Sequence, residues 1–209
     1  MKKLRALDLS LLPEIQSASI LIRPAREIED AITGFAFMHE FYERTQAAIM
    51  FVLNTDSESE SWRNEAHLRA GLNEFYSLED AARRAFRRSQ QASAVPALSD
   101  SRHPLVQVMY MLRHINVHVK PSPTSVHDIS VRLNDPEDTR EFQWGAVMLA
   151  EETASDLLAH SEVRQHYATD DMKNAMDWLL KEQMAFGIGQ VLRVGIESYC
   201  REVIDALPR

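Results

Sequence analysis

Apolar residues recur three and four positions apart along most of the chain, the spacing of α-helices with one buried face. Over 28–53 the stripe is Ile28, Ala31, Ile32, Phe35, Met38, Phe41, Tyr42 and Ile49, which predicts a first helix. The polar run 54–61 ends it, and its Ser and Asp side chains supply caps for a second helix over 59–91. Leu68, Leu72, Phe75, Leu78, Ala82 and Phe86 form the inner face of that helix. Residues 92–100, with Pro96, read as a linker. Pro104 suits a first helical turn and Lys120-Pro121 stops continuation, so a third helix fills the interval. The period then changes to two: 126–133 reads as a short strand, with 141–149 as its partner. Helices over 151–160 and 169–186, an interruption at Gly187 and Gly189, and a last helix to 206 complete the chain. The expected architecture is mostly α, a helical bundle over 28–120 carrying a small β-hairpin insertion and additional C-terminal helices. Residues 1–27 read as a weakly ordered N-terminal extension, and 121–209 as a C-terminal extension packed on the bundle.

With 209 residues, 45% of them hydrophobic, the chain has material for one well-filled core or two small ones. The basic start is interrupted by Asp8 and Pro13 before any apolar signal core forms, and no apolar run approaches the length of a membrane span. Cys200 is the single cysteine, so neither a disulfide nor a cysteine-based zinc site is expected, and it reads as buried and inert. A cytoplasmic protein without a membrane partner is the expectation. The formal net charge of −8 argues against a surface that binds nucleic acid everywhere. Charge is nevertheless uneven: residues 83–120 hold seven basic residues and one acid, whereas 134–182 hold four basic residues and twelve acids. The basic set is Arg83, Arg84, Arg87, Arg88, Arg102, Arg113 and Lys120. On a shared face these would hold a phosphate backbone; as separate solvated helix ends they would only complement helix dipoles.

The third helix carries the densest chemistry. With Leu105 at zero and steps of about 100° per residue, Val108, Met109, Leu112, Asn116 and Val119 fall within roughly 60° of it, a core face. His103, Gln107, Tyr110, His114 and His118 fall on the opposite side, and Arg113 lies at the margin. Groups titrating near neutrality suit proton transfer at the 2′-hydroxyl of RNA, while a neighbouring guanidinium neutralises charge gathering on phosphorus. That chemistry needs no metal or other cofactor. Arg113 and His118 are candidates for it, although five residues set them roughly 140° apart around the axis. A second copy of the helix across a two-fold axis would complete the site. Structural readings stand beside these: an ion pair of Arg113 with Glu74, Glu79 or Asp80, and a carbonyl-bonded His118. His114 and His118 have the spacing of a helical zinc pair, but Ile115 stands where such motifs carry Glu and no third ligand follows. Trp178, Leu179, Met172, Met176, Met184 and Phe186 read as core or dimer packing.

The run Arg113-His114-Ile115-Asn116-Val117-His118 resembles the Arg-x4-6-His motif of the HEPN superfamily, the higher eukaryote and prokaryote nucleotide-binding domains. The resemblance covers 28–120. It implies a HEPN-like bundle, a homodimer that brings two motifs together, and a metal-independent endoribonuclease of toxin or phage-defence type, with RNA as substrate and an antitoxin or regulatory protein as partner. It assigns the family's Arg to Arg113, the polar residue after it to His114 and its His to His118, with Glu79 or Asp80 as an acidic helper. On this reading Arg113, His118 and His114 form the catalytic set, and Tyr110, Arg84, Arg88 and Arg102 hold substrate. Some members of the superfamily bind without cleaving, so a non-catalytic module for nucleotide, RNA or a protein partner is the alternative.

Overall fold

The computed structural model describes residues 4–55, 61–89, 95–118, 124–132 and 141–207. Among these, the α-helices are α1 (Arg26–Thr33), α2 (His39–Asn54), α3 (Ser61–Arg88), α4 (Pro104–His118), α5 (Glu151–Ala159), α6 (Ser161–His166) and α7 (Thr169–Asp205). Strands β1 (Thr124–Arg132) and β2 (Glu141–Leu149) pair antiparallel, from Thr124 opposite Leu149 to Arg132 opposite Glu141. The protein is therefore mostly helical with one small two-stranded sheet.

Several departures from the sequence pattern have local causes. The stripe over 28–53 is two helices, because Gly34, a weak helix former, is followed by an extended Phe35 (φ −120°, ψ 110°). The turn between them, Ala36–Met38, brings Met38 into the core beside Phe41. α6 is a single short element, too brief to impose a periodicity, and the His160 side chain accepts from the Glu162 N–H at its start. At Gly187 the backbone takes φ 75° and ψ 160°, a conformation that L side chains rarely adopt, and the long α7 kinks there.

One hydrophobic cluster runs from Leu7 to Leu207 and draws on nearly every element. The second half of α7 lies at its centre, packed against α2 and α4 and buried around most of its circumference. α4 approaches α7 at Gly195, where an added Cβ would meet the Met109 sulfur at 2.3 Å and Leu105 Cγ at 3.0 Å. Just before the Gly187 kink of α7, Gln183 brackets the end of β2, accepting from the Leu149 N–H and donating to the Leu149 carbonyl, both at 2.9 Å. The inner end of β2, Ala146 to Leu149, is buried, while Val126 and Trp144 project into solvent.

The described part of the N-terminal extension is a strap bound along the molecule. Arg5 bridges to Tyr167 in parallel, donating to the His166 carbonyl at 2.7 Å; Leu7 N–H donates to Asp171 Oδ2 and Asp8 N–H to the Arg102 carbonyl. Further along, Arg193 donates to the carbonyls of Ser19, Leu21 and Arg23, and to Glu197 Oε1 at 3.1 Å. Glu197 in turn accepts from the Ala25 N–H at 3.0 Å. Both side chains of that pair are largely buried, with 9% and 11% of their surface exposed.

Removing one partner of a buried ion pair strands the other charge. Arg193→Met should therefore cost about 3–5 kcal/mol in urea unfolding and open 13–25 to limited proteolysis. Gly195→Ala should cost about 1–3 kcal/mol through overpacking against Met109 and Leu105, read as a lower thermal midpoint.

Candidate functional site

α4 is covered on most sides. Leu105, Val106, Val108, Met109, Met111, Leu112 and Ile115 are at most 2% exposed, and so is Gln107. The polar stripe predicted to face away from the core exists, but its first two members are interior. Gln107 donates to the carbonyls of Leu98 and Ser101 and accepts from the Tyr167 hydroxyl. His103 caps the helix start, its Nδ1 accepting from the Leu105 N–H. The strap, the 95–101 segment and Tyr167 close over this end. Backbone groups brought in there find partners, the Asp8 N–H on the Arg102 carbonyl and the Gln107 side chain on the carbonyls of Leu98 and Ser101.

The stripe opens only toward its C-terminal half, at Tyr110, Arg113 and His114, all partly exposed. Arg113 lies with its guanidinium carbon 4.2 Å from the ring centroid of Tyr76 on α3. Tyr110 stacks on the same ring, with centroids 5.8 Å apart and planes 28° apart. On the other flank the His114 ring meets His160 edge-on, with centroids 5.3 Å apart. Burial, and secondarily Tyr76, holds the Tyr110 hydroxyl above its ordinary pKa, so it stays a neutral donor. The predicted base, His118, closes α4 with its backbone; its side chain, like that of Asn116, lies outside the described residues.

The remaining predicted residues sit elsewhere. Arg84 and Arg88 turn toward α2, where Arg84 is 2.8 Å and Arg88 3.6 Å from the Glu40 carboxylate. Hydrogen bonding from Arg84, above all, holds Glu40 below the usual carboxylate range. Arg83 pairs with Glu79, whose second oxygen accepts from the Leu98 N–H. Glu74 accepts from Arg44 through both oxygens. Glu74 and Glu79 thus hold other arginines. Arg102 is exposed, ahead of the first residue of α4 and eleven positions before Arg113. Three of the seven basic residues over 83–120, Arg83, Arg84 and Arg88, thus face carboxylates of the same chain.

Cys200 is fully buried against Thr45, and desolvation pushes its thiol up to about 12, which keeps it unreactive near neutral pH. Met172, Met176 and Leu179 join the core, whereas Met184 is 59% exposed. Among the described residues no three His, Cys, Asp or Glu side chains converge as metal ligands. A cleft of about 590 Å³ lies between the strap and the end of α7, lined by Ile15, His103, Arg201 and Glu202 among others. None of the predicted site residues lines it.

Two members of the open cluster were not foreseen. Tyr76 follows core Phe75 and carries no periodic signal of its own, and His160 falls at a helix junction. Their partners come from elements far away in the chain, so only an explicit test of exposed aromatics beside Arg113 would have raised Tyr76. No protein family, curated protein or solved structure matches the chain.

Burial pushes His103 down to about 4, opposed by a backbone hydrogen bond with Leu11. Below about pH 6.5 the unfolded chain therefore binds a proton that the folded chain refuses, and stability falls as pH drops through this window. The loss attributable to His103 is about 3 kcal/mol by pH 4. Glu202, raised mainly by burial, opposes that slope. His103→Asn keeps a capping acceptor and should flatten the fall in urea midpoint between pH 7 and 4.5 relative to the wild type.

Proposed function

We propose that the face formed by Tyr76, Tyr110, Arg113, His114 and His160 engages RNA and that the protein is a metal-independent endoribonuclease of HEPN-like type. One observation carries this reading: a guanidinium braced on an aromatic ring sits on the same open helix stripe as an imidazole in contact with a second imidazole. Arg113 would neutralise charge building on the scissile phosphate, and its stacking on Tyr76 fixes the cation before substrate arrives. His118 would take the proton of the 2′-hydroxyl. The 2′-oxygen then bonds to phosphorus, the bond from phosphorus to the 5′-oxygen breaks, and a protonated imidazole returns a proton to that leaving oxygen. The products are a 2′,3′-cyclic phosphate and a 5′-hydroxyl, and no co-reactant is consumed. His114 and Tyr110 would orient the strand.

Dimerisation through α4 would have to use this stripe, since the other described faces of the helix are covered by the chain's own elements. A toxin or phage-defence setting, with a silencing protein partner, follows from the motif resemblance alone. The alternative is a module that holds RNA, a nucleotide or a protein without turnover. The commitment of Arg84 and Arg88 to Glu40 favours it, because those cations are not free to steer a long strand.

Purified protein incubated with mixed RNA in chelator between pH 6 and 8 should yield 2′,3′-cyclic ends. Arg113→Ala and His118→Ala should each lower the rate by at least 100-fold. RNA retention without cleavage at any of these pH values would establish the binding module, and absence of both would overturn the RNA reading.

A further inference from the structure

We infer that the cleft between the N-terminal strap and the end of α7 binds an organic ammonium ion, with Glu202 and Asp205 receiving the charged group and an apolar wall receiving the body of the ligand. The site is separate from the face formed by Tyr76, Tyr110 and Arg113, and the inference does not rest on the RNA reading. The cleft exists because the strap is clasped at two places and not between them. Asp8 is fixed to the Arg102 carbonyl, and Ser19 to Gln190 and Arg193, whereas 13–18 make no hydrogen bond to α7 among the described residues. The unclasped stretch leaves a space of about 590 Å³ beneath it, a volume that suits a small molecule. The wall opposite the strap is one stripe of α7, Val194, Ser198, Arg201 and Asp205, with Glu202 beside it.

The lining combines apolar surface with uncompensated negative charge. Leu11, Pro13 and Ile15 of the strap and Val194 of α7 give the apolar part, and Leu11 keeps 45% of its surface in water. Glu197 reaches the cleft, but its charge is met by Arg193. The cation of the lining, Arg201, donates at 3.1 Å to Glu27, which lies outside the cleft. Glu202 is half-buried, and the partner it has is a neutral hydroxyl, Ser101 Oγ at 2.5 Å. Neither Glu202 nor Asp205 has a cation within salt-bridge distance among the described residues. A carboxylate drawn partly out of water without a counter-ion is costly, and an ammonium group beside it removes that cost. Burial above all, with Asp205 adding repulsion, holds the Glu202 carboxyl above its usual range, so a bound cation would relieve both effects. His103 adds no opposing charge near neutral pH, since burial keeps it unprotonated and its Nδ1 accepts from the Leu105 N–H. A metal ion would need several converging ligands, which the described residues do not form, and it would leave the apolar wall unused. An ammonium on a hydrocarbon body uses both parts of the lining.

The test uses the full chain at pH 7.5 and hexylamine as probe, with hexanol as the uncharged and hexanoate as the anionic counterpart of the same body. Calorimetric titration should give a Kd for hexylamine of about 1 mM or tighter, and binding of hexanol and of hexanoate at least tenfold weaker. Glu202→Gln keeps an acceptor for Ser101 while removing the charge, and should weaken hexylamine binding about tenfold or more. Asp205→Asn, at an exposed position where folding is not at stake, should weaken it about two- to fivefold. Thermal midpoints of both variants within a few degrees of wild type exclude a folding effect. Absence of hexylamine binding up to about 10 mM would overturn the inference. So would hexanol binding as tightly as the amine, which would reduce the cleft to an apolar hollow, or two variants that both bind hexylamine like wild type, which would place the amine elsewhere on the molecule.

Discussion

The buried guanidinium of Arg193 is the constraint from which the visible surface of this protein follows. Residues 19–23 lack a helix or sheet ladder to satisfy their carbonyls, and Arg193 takes three of them while Glu197 holds the Ala25 N–H. An extended segment that would otherwise stay in water is thereby bound to α7 at alternate residues. The charge itself is tolerable in the interior because Glu197 lies 3.1 Å away and three further N–H groups donate to carbonyls of the strap. The same strap, near its start, covers the first turns of α4 and leaves a helix rich in polar side chains open along only part of one stripe.

That partial closure shapes the candidate site. α4 lies close to α7 at the Gly195 notch, and its N-terminal half is sealed by His103, Gln107 and Tyr167. What remains is a short row of Tyr110, Arg113 and His114, completed by one side chain from α3 and one from the α5–α6 junction. The completed row is richer in flat π-systems than in free charge. The arginines at the end of α3, which look like a phosphate track in one dimension, are mostly consumed by Glu40 and Glu79.

Much of the fold was legible because its causes are local. Pro104 marks the start of α4, β2 spans 141–149 as expected of a partner for the alternating 126–133 segment, and the glycine at 187 marks a break that only a residue without a Cβ accommodates readily. The division of 28–53 into two helices was not legible, since the stripe continues in phase across Gly34. α6 is too short to show a period. The strap was read as weakly ordered because nothing within it announces Arg193, which lies some 170 residues later in the chain.

Taken alone, the sequence determined most of the helices and the hairpin, that one cysteine would be inert, and that Tyr110 and His114 would share a side of one helix with Arg113 at its margin. These are properties of period and spacing, carried by the backbone wherever the segment is placed. The tertiary structure alone decided which part of that side meets water, which arginines keep their charge available, and that Tyr76 and His160 join the cluster. Those outcomes depend on which distant groups come to rest against each side chain, and burial and ion pairing act through space, blind to distance along the chain.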